Sequence, residues 1–130
     1  MVMESDSIWY SSLSTGIFEV DIQHSNIDQL IVLLGKTEGE ARIKESMDVL
    51  MYAIENHFKY EEWRFGNNPK KMNQEHINEH RRILRKYYDI AIMVHDSNAK
   101  EIKKEIVEMI KIVLMSHVKD FDCIFFKEAS

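Results

Sequence analysis

Five of the six histidines in this 130-residue chain continue the apolar stripe of a predicted helix. They are His24, His57, His76, His80 and His117. The sixth, His95, falls in a predicted loop. A single histidine on an apolar face is usually a core residue with a hydrogen-bond partner, but burying five imidazoles without strong partners is costly. Neutral imidazole is a good metal ligand. Together, the five predict a buried metal site.

Three of these histidines belong to pairs of potential ligands that are separated by one helical turn. His57 and Glu61 form H-x-x-x-E, and His76 and His80 form H-x-x-x-H. Residues four apart lie on one helix face, so each pair can reach one ion. Either pair alone is weak evidence, because charged residues often sit four apart on solvated faces. Two pairs on adjacent helices, both in phase with the predicted core, are strong evidence together.

The number of imidazoles favours two metal ions over one. A structural zinc takes four ligands, whereas two ions bridged by carboxylates can use five histidines. Glu61 is one candidate bridge. A second bridge should follow His117, where Asp120 lies three residues on and Asp122 five. Ideal helix geometry favours Asp120, a loosened helix would favour Asp122, and spacing alone leaves the choice open.

The elements that must position these residues are four helices. One proline and four glycines in 130 residues predict long helices with few turns. Short connections predict antiparallel neighbours, so we expect an all-α, up-down-up-down antiparallel four-helix bundle. In this topology His24, His57, His76, His80 and His117 converge at one level. We expect one domain over residues 1–130, with an extended N-terminal arm (1–20) and the bundle with the metal site (21–122).

Local signals place the helix ends. Asp21 could cap the first helix, and Thr37 with Glu40 has the spacing of a capping box for the second. Gly66 would end the second helix, and Asn68 would cap the third with Pro69 at its first position. Trp9, Ile17 and Phe18 would tether the arm to the core.

Each predicted helix has one apolar stripe that should face the core. In the first helix it is His24, Ile27, Ile31 and Leu34, and in the second it is Ile43, Met47, Leu50, Ile54, His57 and Glu61. In the third helix it is Met72, His76, His80, Ile83, Tyr87, Ile90 and Val94, and in the fourth it is Ile102, Ile106, Met109, Val113 and His117.

Composition excludes several other classes of protein. The formal net charge of −5 and the lack of a basic stripe argue against nucleic-acid binding. No apolar run reaches the length of a membrane span, and the N-terminus lacks the order of a signal peptide. Cys123 is the only cysteine, so no internal disulfide can form. These features predict a cytoplasmic protein.

Four segments, in this order and at these separations, resemble the single-domain bacterial hemerythrins. They are GIFEVDIQH (16–24), HFKYEEWRF (57–65), HINEH (76–80) and HVKDFD (117–122). The resemblance covers nearly the whole chain, including Trp9. Its last motif, H-x-x-x-x-D, selects Asp122 rather than Asp120 as the second bridge.

The resemblance implies a non-haem centre of two iron ions with a bridging oxo or hydroxo group. In that family pattern His76, His80 and His117 would bind one iron, His24 and His57 the other, and Glu61 and Asp122 both. The first iron would then be six-coordinate, and the second would keep one open position. The implied function is reversible dioxygen binding by a carrier, store or sensor rather than an enzyme, with an oxygen-consuming or signalling partner. Alternatives are a di-iron peroxidase, a nitric-oxide-handling enzyme, or an iron-homeostasis protein.

Three positions depart from the family pattern. Asp28, one turn after His24, stands where the family usually has a large apolar residue. It would either turn to the solvated bundle rim or place a carboxylate beside the open iron and favour peroxidase-like chemistry. Val113 and Lys70 replace common aromatic residues, which affects the shape of the ligand pocket rather than the metal ligands.

Glu62, next to the candidate bridge Glu61, has two interpretations. It would be either a solvated neighbour of the bridge or a hydrogen-bond acceptor for a ligand histidine.

Overall fold

The computed structural model describes residues 15–65, 74–96 and 99–122, which form four α-helices and a short π-helical segment. The helices are α1 (Phe18–Lys36), α2 (Glu40–Phe65), α3 (Gln74–Asp96), α4 (Ala99–His117) and the π-segment (Val118–Asp122). They pack into a compact bundle, which confirms the predicted all-α class and the four helices. No helix in the described ranges is both long enough and apolar enough to cross a membrane.

Some predictions concern parts of the chain outside the described residues. These are the arm up to residue 14 with Trp9, the signals at Gly66, Asn68 and Pro69, the pocket residue Lys70, and Cys123. The described end of the arm corrects one prediction. Phe18 is 74% exposed and does not tether the arm, whereas Ile17 packs against the buried Val20.

The core consists of the inward faces of the four helices. In α1, α2 and α3 the predicted stripes are buried throughout the described residues. Ile31, Leu50, Ile54 and Ile83 are fully buried at the centre of this cluster. Tyr87 is also fully buried, and its hydroxyl donates to the carbonyl of Ile110 at 3.4 Å. The 3.6-residue period therefore identified these three faces correctly.

The predicted stripe of α4 was partly wrong. Met109 is 37% exposed, and its neighbour Ile110 is fully buried instead. Leu114 is buried, while Val113 is only partly buried against the core. Between residues 106 and 115 only Glu108 and Lys111 interrupt the apolar run. Such a run fits several helical phases equally well, so its inward face could not be chosen from periodicity.

The helix starts also differ from the predicted caps. α1 begins at Phe18, and the Asp21 carboxylate accepts hydrogen bonds from the Thr15 backbone N–H and hydroxyl, both at 2.8 Å. Thr37 ends α1, and its hydroxyl donates to the Leu33 carbonyl at 2.6 Å. α2 starts after Gly39, whose φ of +92° suits glycine. The predicted capping box does not form.

Glu40 caps a different helix from the one predicted. Its carboxylate accepts from the backbone N–H groups of Ala99 and Lys100, at 2.9 and 2.8 Å, which are the first two residues of α4. These N–H groups have no partner within their own helix, and negative charge is favourable at a helix N-terminus. The hydrogen bond from Lys100 lowers the pKa of Glu40. Glu40 therefore joins the start of α2 to the start of α4.

Contacts between α2 and α3 run in opposite order along the two helices. The Asp48 carboxylate lies 3.0 Å from His95, and the Tyr88 hydroxyl donates to Glu55 at 2.8 Å. Glu62 lies 3.0 Å from His80. This order is the one expected for antiparallel helices, and the up-down-up-down order of the whole bundle stays a prediction. His95 lies on α3 rather than in the predicted loop, and it is exposed as expected.

The role of Glu40 can be tested by substitution. Glu40→Ala removes both hydrogen bonds to the start of α4, so we expect a lower urea midpoint of unfolding. Glu45→Ala is the matched control, because Glu45 is an exposed glutamate on the same helix. Equal midpoints for the two variants would contradict the proposed cap.

Candidate metal centre

The structure brings all seven predicted ligands into one buried cluster. Every one of them is at most 6% exposed; they are His24, His57, Glu61, His76, His80, His117 and Asp122. Their ligand atoms form two groups, each with all atoms within 4.8 Å of one another. One group contains His76, His80 and His117, the other contains His24 and His57, and Glu61 and Asp122 belong to both. This cluster could hold a metal ion.

The two oxygens of Glu61 face different groups. Oε1 lies 3.2 Å from His80 Nε2, in the group with three imidazoles. Oε2 lies 3.3 Å from His57 Nε2 and 3.8 Å from His24 Nε2, in the group with two. Glu61 comes from α2, one turn after His57, and is fully buried. Its carboxylate is therefore placed between the two sets of imidazoles.

Asp122 lies in the π-helical segment that follows α4, and its carboxylate has the same arrangement. Its Oδ1 lies 2.8 Å from His76 Nε2 and 3.1 Å from His117 Nε2. Its Oδ2 lies 3.1 Å from His24 Nε2, in the other group. Each carboxylate thus directs one oxygen to each group. All five imidazoles meet these oxygens through Nε2.

The backbone after His117 explains how Asp122 reaches the cluster. α4 ends at His117, and Val118–Asp122 is π-helical. In an α-helix of 3.6 residues per turn, a step of five residues would point about 140° away from the His117 face. A π-helical turn has i→i+5 hydrogen bonds and is wider, so the fifth residue returns towards the same face. The loosened helix that would favour Asp122 is therefore present between residues 117 and 122. The side chain of Asp120 lies outside the described part of the structure.

Two side chains contact the outer nitrogen of a cluster imidazole. His57 Nδ1 lies 2.6 Å from the Gln23 Oε1 oxygen, and His80 Nδ1 lies 3.0 Å from a Glu62 carboxylate oxygen. Both partners are acceptors, so each Nδ1 donates; in the neutral imidazole Nε2 then keeps its lone pair directed at the carboxylates. This is the tautomer that binds a metal ion through Nε2. Glu62 is therefore the hydrogen-bond acceptor that one of its two interpretations predicted.

Phe58 and Gln23 were not predicted as parts of this site. Phe58 stacks on the His80 ring with a centroid distance of 4.0 Å and meets the His117 ring edge at 5.4 Å. It restricts rotation of both rings and excludes water from their side of the cluster. Phe58 follows the ligand His57 in sequence but stacks on His80, and Gln23 precedes the ligand His24 but contacts His57. Their positions in the sequence therefore gave no signal for these contacts.

The electrostatics of the cluster are dominated by two adjacent buried carboxylates. Burial and Asp122 both act to raise the pKa of Glu61, but His57 and His80 outweigh them and lower it to about 2. Burial also opposes ionisation of Asp122, yet His117, His24 and His76 hold its pKa well below the usual range. Burial acts to lower the pKa of His57, and the facing Glu61 raises it overall. The two negative charges therefore require positive charge inside the cluster.

Several buried polar atoms of the cluster make no hydrogen bond to any described residue. They are both oxygens of Glu61, Oδ2 of Asp122, and Nε2 of His57 and His80. Buried polar atoms are normally satisfied, so this concentration at one point needs an explanation. Nitrogen and carboxylate lone pairs converging on the same space are the donor set of a transition-metal site. The residues present therefore fit a metal centre.

Asp28 corrects one interpretation. It is 6% exposed, so it does not turn to the solvated rim of the bundle. It lies on α1 one turn after His24 and among the buried residues of that helix. A carboxylate is thus enclosed on the same helix as His24, one turn further on. The alternative interpretation, a carboxylate beside the open position, stays a prediction.

Comparisons with models of known protein families, with curated proteins and with solved structures gave no match. The site is therefore interpreted from its own geometry. That geometry establishes a helical bundle with a buried histidine–carboxylate cluster that could hold a metal ion.

The π-helical segment generates a prediction about the two aspartates. Asp122→Ala removes an oxygen from each group, and we expect a large loss of retained metal after dialysis against a chelator. Asp120→Ala is the matched control, because it removes the same group from the position that ideal helical spacing favours. Metal analysis per chain measures both variants. Normal metal retention by Asp122→Ala, with loss in Asp120→Ala, would contradict the assignment.

Proposed function

We propose that the cluster binds two iron ions and that the protein binds dioxygen reversibly, as a carrier, store or sensor. The observation that supports this most strongly is the division of the carboxylate oxygens. Each of Glu61 and Asp122 directs one oxygen to three imidazoles and the other to two. Two bridging carboxylates between unequal sets of imidazoles fit a pair of metal ions with different numbers of protein ligands.

The inequality between the two groups supports a ligand-binding function. Three imidazoles with two carboxylate oxygens supply five donors, and two imidazoles with two oxygens supply four. The group with fewer donors leaves more room for an exogenous ligand. A ferrous pair, when bound, supplies electrons to dioxygen and recovers them on release. The protein's part is to fix the donors and leave one side of the pair accessible.

The donor set distinguishes this centre from carboxylate-rich di-iron sites. Di-iron oxidases of the ferritin type use four glutamates with two histidines, whereas this cluster has five histidines with two carboxylates. Neutral imidazoles supply less negative charge to the metals than carboxylates do. The pair is then less strongly stabilised in its oxidised state, which favours return of the electrons and reversible binding.

The surroundings of the cluster are suited to protecting a bound ligand. Ile27, Ile31, Ile54 and Leu114 are all buried, and they belong to the apolar core that adjoins the site. An apolar shell limits the access of water and reductants to a metal centre. These apolar side chains supply no proton to a bound ligand, which favours its release over its reaction.

Asp28 favours a second candidate function, a peroxidase-like activity. Its carboxylate is buried on α1, one turn after His24 of the two-imidazole group. A carboxyl group at this position could pass protons to a ligand or admit water, and either would make turnover easier than release.

For a protein that binds oxygen in this way, we also propose a cytoplasmic location and an oxygen-consuming or signalling partner.

Iron loading followed by exposure to air tests the main proposal. We expect two iron ions per chain, and a visible absorption change that appears with air and reverses on deoxygenation. His117→Ala should lose the response, whereas His95→Ala should keep it, because His95 is an exposed histidine outside the cluster. Zinc in place of iron, or one iron per chain, would contradict the two-iron proposal. An irreversible change would favour the peroxidase candidate.

Replacing Asp28 tests which of the two functions its carboxylate supports. Asp28→Leu removes the buried carboxylate, so we expect the iron-loaded protein to keep its reversible response to oxygen for longer. Repeated cycles of air and deoxygenation, followed by visible absorption, measure this. Asp89→Leu, at an exposed position of α3, is the control. An unchanged lifetime in Asp28→Leu would remove the proton-transfer interpretation.

A further inference from the structure

A pocket opens between α1 and α2 on the side of the cluster that has two imidazoles. Its lining residues are Gln23, Asn26, Ile27, Ala53, Asn56 and His57. His57 is itself a member of the group with fewer donors. The pocket therefore adjoins the part of the centre where the proposed function requires a free position.

His57 stands between this pocket and the carboxylates. Its Nε2 lies 3.3 Å from Glu61 inside the cluster, and its Nδ1 lies 2.6 Å from Gln23, which lines the pocket. The two nitrogens point away from each other, so the imidazole forms part of the partition between pocket and cluster. The hydrogen bond from Nδ1–H to the Gln23 oxygen holds that partition in one orientation.

The chemistry of the lining indicates which molecules the pocket admits. Its polar groups are the neutral amides of Gln23, Asn26 and Asn56, and its apolar groups are Ile27 and Ala53. The pocket between α1 and α4, in contrast, has formally charged groups in its lining: Lys36, Lys103, Lys104, Lys111 and Glu108. A lining without formal charge does not concentrate ions, and it leaves small neutral molecules as the species it admits most easily.

We propose that this pocket is the route by which a small neutral ligand reaches the two-imidazole half of the centre, and that Gln23 is the positioning residue that holds His57 along it. The proposal rests on the proposed function, which supplies the ligand. Gln23 acts on the centre through His57 and would not contact a ligand bound there. Loss of its hydrogen bond would free the ring, weaken metal binding by the two-imidazole group and open the partition.

The route is tested by narrowing the pocket. Ala53→Phe adds a large side chain to its lining, and we expect oxygen association and dissociation, followed by stopped-flow absorption, both to slow about tenfold. The equilibrium affinity should stay unchanged, because a narrowed route alters both rates equally. Ala91→Phe is the matched control, since Ala91 is also a partly buried alanine packed on the core but does not line this pocket. Asn56→Trp, at an exposed lining position, serves if Ala53→Phe does not fold.

The positioning role of Gln23 is tested by metal retention. Gln23→Ala should lose iron to a competing chelator more readily, by about 10- to 100-fold in affinity, the usual effect of removing the partner of a metal-bound histidine. Gln23→Glu should restore retention, because its carboxylate can accept the same hydrogen bond. Gln29→Ala, at an exposed position of α1, should match the unmodified protein.

The outcomes separate this inference from the proposed function. If oxygen binds reversibly but Ala53→Phe and Asn56→Trp react as fast as Ala91→Phe, the route is wrong and the function stands. Equal iron retention by Gln23→Ala and Gln29→Ala would overturn the positioning role. Absence of any oxygen response in the unmodified protein would overturn the proposed function and the route together.

Discussion

Two carboxylates buried side by side are the constraint on which the structure of this bundle depends. Glu61 and Asp122 are fully buried, and each raises the energy of the other's charge. Uncompensated buried charges are strongly unfavourable, so positive charge must be supplied at the same point. Protons on the surrounding imidazoles can supply it, and so can metal ions. Metal ions also satisfy the lone pairs that no hydrogen bond uses.

This constraint accounts for the local departure from regular helix. His117 and Asp122 must both reach the cluster from one segment, and an α-helix cannot direct residues five apart to the same point. The π-helical turn at Val118–Asp122 resolves the conflict. The same requirement explains why α2 and α3 provide regular i, i+4 pairs, since His57 with Glu61, and His76 with His80, meet the cluster without distortion.

The sequence predicted the features that depend on periodicity and missed those that depend on tertiary contacts. The buried faces of α1 to α3 and the clustering of the five histidines with Glu61 followed from spacing and helix order. The α4 face did not, because its apolar run has no single phase. Thr37 and Glu40 have the spacing of a local capping box, yet Glu40 caps α4. The helix start that it caps, Ala99, is 59 positions away in sequence, so local spacing could not indicate it. The choice of Asp122 over Asp120 needed the resemblance, since periodicity favoured the other residue.

The difference between the two halves of the cluster is a consequence of how many histidines each helix supplies. The three-imidazole group takes two histidines from one turn of α3 and one from α4, whereas the other takes single histidines from α1 and α2. On the α1–α2 side, the pocket beside His57 adjoins the group with fewer donors. The hydrogen bond from His57 to Gln23 holds that imidazole in place. A four-helix bundle with an unequal set of donors can therefore combine a firmly held pair of metal ions with one accessible side.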